Sequence, residues 1–380
     1  MGKLKNAAIG AGAIALAILT CTGTEIGGFM RTAAFASAGI IVKNDVTEET
    51  HSPSSDSTDV SSDTNSTVNS EELPKSEISE DVSEVTLQNR GEIITLNRQN
   101  TTDDADYSVY NSHSGAIYRY NVGKLTGDCY LRLQSGAQVW NNTEIANETL
   151  EKAASELPVF HENADINLPR VLIYHTHSNE SFLPKQNWFD EEYPIRSADC
   201  SKNMIAVGDA LCKALSENGF SVIHECRQHD NPMFTGAYYR SAESVSALLE
   251  KYPDIDIVID LHRDGIVQND GSLGAPVCEV NGKTAAQFMI ISCCENEDFD
   301  MPDYIENFKL ACLLQNTAEE MYPNLARPVL FDYRNYNQNL SKGALLIEVG
   351  SHGNSFDEAV YTGELLGNVI AKALRKAIPD

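Results

Sequence analysis

The sequence predicts an α/β domain with a single, mostly parallel sheet flanked by helices, preceded by a small β-rich lead-in module and an N-terminal membrane anchor. Three observations predict it. From Arg170 onward, apolar runs of strand length alternate with amphipathic runs of helix length. Several of the strand runs (VLIY, IVI, ALLI) are apolar throughout, as expected of strands covered on both faces. The 380 residues are 42% hydrophobic, yet only one stretch, near the N-terminus, is both long and uncharged. That composition supplies a core and excludes a polytopic membrane protein.

The elements follow in order. Lys3 and Lys5 precede an apolar run from Ala7 to Gly23, a positive segment followed by a hydrophobic one. Residues 1–42 are read as a signal or membrane-anchor region. An uncleaved anchor is favoured over a cleaved signal, because the small-x-small triplet Ala34-Phe35-Ala36 lies well past the apolar run, with Glu25 and Arg31 between. Residues 43–100 are rich in Ser, Thr, Asp and Glu and too poor in apolar groups to offset their ordering entropy, which predicts a flexible acidic stalk. Residues 101–167, with YRYNVGKL, CYLRLQSGAQVW and the helical TEIANETLEKAASEL, are expected to form the lead-in module, and lone His113 there is read as a surface residue. Residues 168–380 form the α/β domain. Its helices are SKNMIAVGDALCKALSENG with a Gly219 stop, RSAESVSALLEKYPD ended by Pro253, DYIENFKLACLLQNTAEEMYP, and a final EAVYTGELLGNVIAKALRKA.

The formal net charge is −27, and beyond Glu92 the chain still holds 41 acids against 22 bases. No phosphate-neutralising basic patch is available, so nucleic acid is excluded as a tight partner. None of the nine cysteines forms a CxxC pair, which disfavours a structural zinc knuckle, and most read as buried thiols. No G-x-S-x-G, G-x-G-x-x-G or P-loop occurs.

Chemistry concentrates where strand runs end, the edge at which α/β sheets bind ligands. VLIY runs into His175-Thr176-His177-Ser178-Asn179-Glu180, IVIDL into His262-Arg263-Asp264, and ALLI into Glu348-Val349-Gly350-Ser351-His352. Two imidazoles and a carboxylate suit a zinc ion with a fourth position open to water. His177 and Glu180, three apart in a turn, can reach one ion, and His262 supplies the third ligand. Glu348 is left as general base. His175, two residues before His177, is either on the same face or a supporting neighbour. Arg263 either pairs with Asp264 or holds a substrate carboxylate. His352 either stabilises an oxyanion or supports its own turn. Asn354 is expected to cap the last helix. His224 and His229 carry no partner motif, and Arg240 is a second basic candidate for substrate.

These motifs carry a resemblance. LIYHTHSNESF, SKNMIAVGDALCKALSENGFSV, DLHRDG and LIEVGSHGN, in that order, resemble the stage II sporulation protein P family of membrane-anchored peptidoglycan hydrolases, over about residues 168–376. More distantly, the chain is similar to zinc-dependent N-acetylmuramoyl-L-alanine amidases, whose metal-binding His residues and late Glu match His177, His262 and Glu348. The amidases' middle Glu opens the first helix, where this chain has Ser201-Lys202-Asn203. Glu180 replaces it with the H-x-x-E spacing of zinc carboxypeptidases. The resemblance implies a catalytic domain outside the cytoplasm at the sporulation septum. It implies zinc-dependent cleavage of the amide between N-acetylmuramic acid and L-alanine, with a second activity on peptide cross-links. It also implies stage II sporulation proteins D, a lytic transglycosylase, and M, an anchor, as partners during engulfment. A zinc carboxypeptidase or endopeptidase on stem peptides, and a non-catalytic wall-binding scaffold, are the alternatives.

Overall fold

The computed structural model describes residues 91–99, 106–161, 168–295 and 300–378. The expected anchor and most of the expected stalk lie outside them.

A nine-stranded sheet is the frame. Its strands are β1 (Ile93–Leu96), β3 (Tyr130–Arg132), β4 (Gln138–Asn141), β5 (Val171–Tyr174), β7 (Val222–Glu225), β8 (Ile257–Asp264), β11 (Phe288–Cys293), β12 (Val329–Asp332) and β13 (Ala344–Ser351), ordered β1-β7-β5-β8-β13-β11-β12-β4-β3. A second, four-stranded sheet is built from β2 (Gly115–Tyr120), β6 (Trp188–Phe189), β9 (Leu273–Val280) and β10 (Lys283–Ala286), ordered β10-β9-β2-β6.

The helices are α1 (Asn147–Ala154), α2 (Met204–Glu217), α3 (Ala237–Lys251), α4 (Tyr304–Met321) and α5 (Phe356–Ala377). Apolar residues of α1, α2, α4 and α5 share one core with Val171, Ile173, Ile257, Ile259, Leu345 and Ile347. Val245 and Leu248 of α3 pack instead with Leu172, Tyr174, Ile223 and Val258. Successive strand residues thus enter opposite layers, as the two-residue strand period requires, and the apolar strand runs are apolar because both faces are covered.

Three expectations are corrected. The sheet is mixed, since β11 runs antiparallel to β13 and β3 antiparallel to β4. For β3 and β4 the reason is connection length: only residues 133–137 join them, and a parallel neighbour needs a long crossover. Next, β1 lies within the stretch expected as stalk, pairs parallel to β7 and buries Ile94. Four residues are enough for an edge strand when the partner supplies the template. Finally, the expected lead-in segment does not stand apart. β4 pairs with β12, β2 pairs with β9, and Leu131, Val139 and Leu150 belong to the main core.

Among the described residues no helix is long and apolar enough to cross a membrane. Of the eight cysteines described, all but Cys129 are buried.

Candidate active site

The strand period decides which side chains meet. On β8, Ile257, Ile259 and Leu261 face the α2 side, while Val258 faces α3. Asp260, His262 and Asp264 share the parity of Val258 and so emerge on the α3 side. On β13, Ala344 lies in the α3 layer, which gives Glu348 the same side. Glu348 is the direct register partner of His262 across the parallel pair, so the two start from neighbouring positions about 4.8 Å apart. The register breaks between Glu348 and Ser351. Gly350 takes φ +61 there, and a Cβ at that position would meet Asn354 Oδ1 at 2.7 Å.

His177 arrives by a turn. The chain leaves β5 at Tyr174, and the Glu180 N–H donates to the His177 carbonyl at 3.4 Å, the i to i+3 turn expected. Thr176 N–H and Oγ1–H donate to the two oxygens of Asp260 at 2.8 and 2.7 Å. Ser178 Oγ and Asn179 N–H donate to Asp230 at 3.0 and 3.2 Å. These anchors set the His177 ring 5.4 Å from that of His262, nearly perpendicular to it. Glu180 Oε2 lies 3.7 Å from His262 Nδ1 and accepts the Arg263 backbone N–H at 3.2 Å. His262 Nε2 faces Asp260 Oδ1 at 2.7 Å, off line for a hydrogen bond. Phe234 stacks on His177 with centroids 4.0 Å apart, and the Arg196 guanidinium lies 4.6 Å from the Phe234 centroid. Tyr238 stands edge-on to His177 and parallel to His262.

The electrostatics follow from enclosure. Burial, with the nearby charges of His262 and Arg196, pushes the His177 imidazole down to about 2. For His262 burial acts downward too, but the carboxylates of Asp260, Glu180 and Glu348 outweigh it and raise the imidazole above its ordinary value. Burial first, then Asp264 and Glu180, raise the Glu348 carboxyl well above the usual carboxylate range.

The other candidates separate. His175 has the parity of Ile173 and turns to the α2 side, away from His177 and His262. Its Nδ1–H donates to the Leu261 carbonyl at 2.9 Å, and its Nε2 meets His224 Nε2 at 2.9 Å. His224 Nδ1 in turn lies 3.1 Å from Asp209, which Arg98 grips bidentately at 2.8 and 2.6 Å. Gly208 of α2 makes room for this pair, because a Cβ there would lie 2.5 Å from His224 Nε2 and 2.9 Å from His175 Nε2. Gly208→Ala should therefore destabilise the fold by about 1–3 kcal/mol of overpacking, despite alanine's better helix propensity. Urea denaturation measures this, and an unchanged midpoint would refute the packing argument.

Arg263 and Asp264 do not pair through their side chains. Arg263 Nε and Nη2 donate to the carbonyls of Ser181 and Ile195 at 2.7 and 3.0 Å, tying down the segment after Glu180, and Asp264 pairs with Arg327 at 2.9 Å. Arg240 spends Nε, Nη1 and Nη2 on the carbonyls of His229, Thr235 and Met233. Both arginines therefore brace loops rather than wait for substrate. His352 is buried, its imidazole lowered to about 3 by burial and by Arg263, and its backbone N–H donates to the Asp264 carbonyl at 3.1 Å. Ser355, not Asn354, caps α5, in a reciprocal capping box with Glu358. Asn354 Oδ1 instead accepts the Ser351 N–H at 2.9 Å. His113 stacks on Trp188 with centroids 3.3 Å apart. Sequence reasoning missed Asp260, Phe234 and Tyr238. For Asp260 a signal existed: D-x-H-x-D alternation puts three polar residues on one strand face.

The zinc that the residue pattern suggests can be tested for fit. Among the described residues no three His, Cys, Asp or Glu side chains stand in a ready coordination arrangement, because His262 turns to Asp260 and His177 lies against Phe234. The donors fit in chemistry. His177 Nδ1, Glu180 Oε1 and Glu348 Oε2 are all buried without a hydrogen-bond partner, a state that disfavours the protein unless something takes those lone pairs or protons.

A family model described as Stage II sporulation protein P (SpoIIP) matches residues 19–371. The chain belongs to the Stage II sporulation protein P family. It is 28% identical to Stage II sporulation protein P of Bacillus subtilis (strain 168) over 213 residues, 53% of this chain and 50% of that protein. The match thus spans about half the length of that family member. Among solved structures, the chain is similar to N-acetylmuramoyl-L-alanine amidase AmiC2 of Nostoc punctiforme (13% identity, 54% of this chain and 94% of that one, TM-score 0.33). It is also similar to the CwlD amidase from Clostridioides difficile, solved with the GerS lipoprotein (10% identity, 55% and 98%, TM-score 0.31).

Proposed function

We propose that the chain is a sporulation peptidoglycan hydrolase that cleaves the amide between N-acetylmuramic acid and L-alanine of the stem peptide. The substrate class comes from family membership. The observation that carries the chemistry is the placement of Glu348 beside His262 in register, with unpartnered oxygens of Glu348 and Glu180 and Nδ1 of His177 enclosed at the same sheet edge.

His177, Glu180 and His262 would hold zinc, which when bound supplies Lewis acidity and lowers the proton affinity of a coordinated water. Glu348 removes a proton from the attacking water and returns it to the leaving nitrogen. A carboxyl whose proton affinity is raised by burial is matched to that exchange near neutral pH. Asp260 holds the β5 turn through Thr176 and faces His262, and Arg263 steadies Glu180 through its backbone N–H. Phe234 and Tyr238 cover His177 and exclude bulk water, which strengthens every charge interaction beneath them.

Digestion of purified peptidoglycan with mass analysis of the products tests this. Glycan with free lactyl ends and intact released peptides is expected, and chelator should abolish release until zinc is restored. Shortened peptides still attached to glycan would mean a peptidase, and release that survives complete metal removal would overturn the zinc assignment. Family membership also makes stage II sporulation proteins D and M the first partners to test in a pull-down at the septal membrane.

A further inference from the structure

One arginine at this edge has an open hydrogen-bonding face. Arg327 enters β12 with its backbone fixed: its N–H donates to the Phe288 carbonyl at 2.8 Å, and its carbonyl accepts from Gln315 Nε2 at 2.8 Å. Its side chain is only 6% exposed. Nη1 donates to Asp264 Oδ2 at 2.9 Å, while Nε and Nη2 have no partner. Those two N–H groups form the side-on fork of the planar guanidinium. Asp264 lies two residues past His262 on the same face of β8, about 6.6 Å further along the strand. The charge of Arg327 reaches both the Glu348 and Tyr120 side chains, lowering the proton affinity of each.

A buried guanidinium cannot shed its charge, so an open pair of donors calls for an acceptor. Two parallel donors beside a positive charge match a carboxylate. The fork is buried like the unpartnered atoms of His177, Glu180 and Glu348, and its guanidinium is held at the same sheet edge by Asp264.

We propose that Arg327 is the carboxylate-recognising group of this site. Its Nε–Nη2 edge takes a carboxylate of the substrate peptide in two hydrogen bonds, and Asp264 holds its other end. The assignment rests on the peptidoglycan reading and narrows it to acidic stem peptides.

The test compares two stem peptides and their muropeptides, alike except that one carboxylate is free or converted to carboxamide. With the full chain, the acid should bind roughly tenfold or more tightly than the amide, and its KM should be lower by a similar factor. Arg327→Gln should abolish that preference, changing KM more than kcat. Arg327→Lys, which keeps the charge without the fork, should restore part of it and carries the test if the glutamine variant does not fold. Equal binding of acid and amide by the wild type, or a preference that survives Arg327→Gln, overturns the proposal and leaves Arg327 as a structural partner of Asp264. Preferential binding without cleavage would instead remove the hydrolase reading while Arg327 stands.

Discussion

Replacing Glu348 with glutamine is expected to slow muropeptide release by roughly 10²–10⁴-fold while leaving the fold in place. Glutamine keeps the volume and hydrogen-bonding reach of glutamate and removes only the ability to take up and return a proton. Glu348 sits within β13 with Ile347 and Val349 buried on either side, so a near-isosteric change should pass without repacking. The uncharged side chain also relieves the carboxylate crowding with Asp264 and Glu180 that raises the Glu348 carboxyl. The variant should therefore melt at or above the wild-type temperature and take up as much added zinc as the wild type. Those two readings separate loss of chemistry from loss of fold. A Glu348→Gln protein that digests peptidoglycan at the wild-type rate would remove this residue from the reaction.

Asp256→Ala should destabilise the protein by about 3–5 kcal/mol, a large part of the ~5–15 kcal/mol that holds a domain folded. Asp256 immediately precedes β8, and its carboxylate is fully buried. One oxygen accepts the His161 N–H at 2.7 Å and faces His161 Nδ1 at 2.9 Å. The other accepts Arg170 Nε and pairs with Nη2 of the same guanidinium. The Arg170 carbonyl accepts the N–H groups of Asp256 and Ile257 at 3.0 and 3.1 Å, so the pair joins the entries of β5, which leads into the turn bearing His177, and β8, which carries His262. Truncation to alanine leaves the Arg170 guanidinium buried without a counter-charge, which is why the effect exceeds that of a surface ion pair. Thermal and urea unfolding measure it, with a fall of about 10 °C or more expected. Asp256→Asn, which keeps hydrogen-bonding atoms in place, should cost less. A loss below 1 kcal/mol in the alanine variant would show that solvent reaches Arg170.

The readable parts of the sequence were those where one physical cause dominates. Continuous apolar runs mark strands covered on both sides, and β5, β8 and β13 all lie where such runs occur. Gly219 ends its helix at φ +85, a conformation open to glycine without strain. The short strands were harder. β1 and β3 are four and three residues long, and such segments become strands only because a longer neighbour offers unpaired backbone groups. Asn354 and Ser355 are both good capping residues by type. The backbone turn decides between them, since it sends the Asn354 side chain back to Ser351. At the candidate site, the residues 177, 180, 262 and 348 could be nominated because polar groups at the ends of apolar strand runs are conspicuous. The fate of the arginines could not be read the same way. Arg240, Arg263 and Arg327 are chemically identical in the sequence, and only the acceptors within reach of each guanidinium distinguish a brace from an open fork.

Composition and periodicity alone determined the alternation of strands and helices, the acidity of the chain, and the strand ends where chemistry gathers. Each depends on nearest neighbours along the chain or on totals. The tertiary structure alone decided that His175 faces α2 while His177 meets His262, that β11 runs against β13, and that Arg327 keeps two donors open. Those outcomes depend on which face of a strand a turn presents and on which distant carbonyl lies within about 3 Å, and no local pattern encodes either.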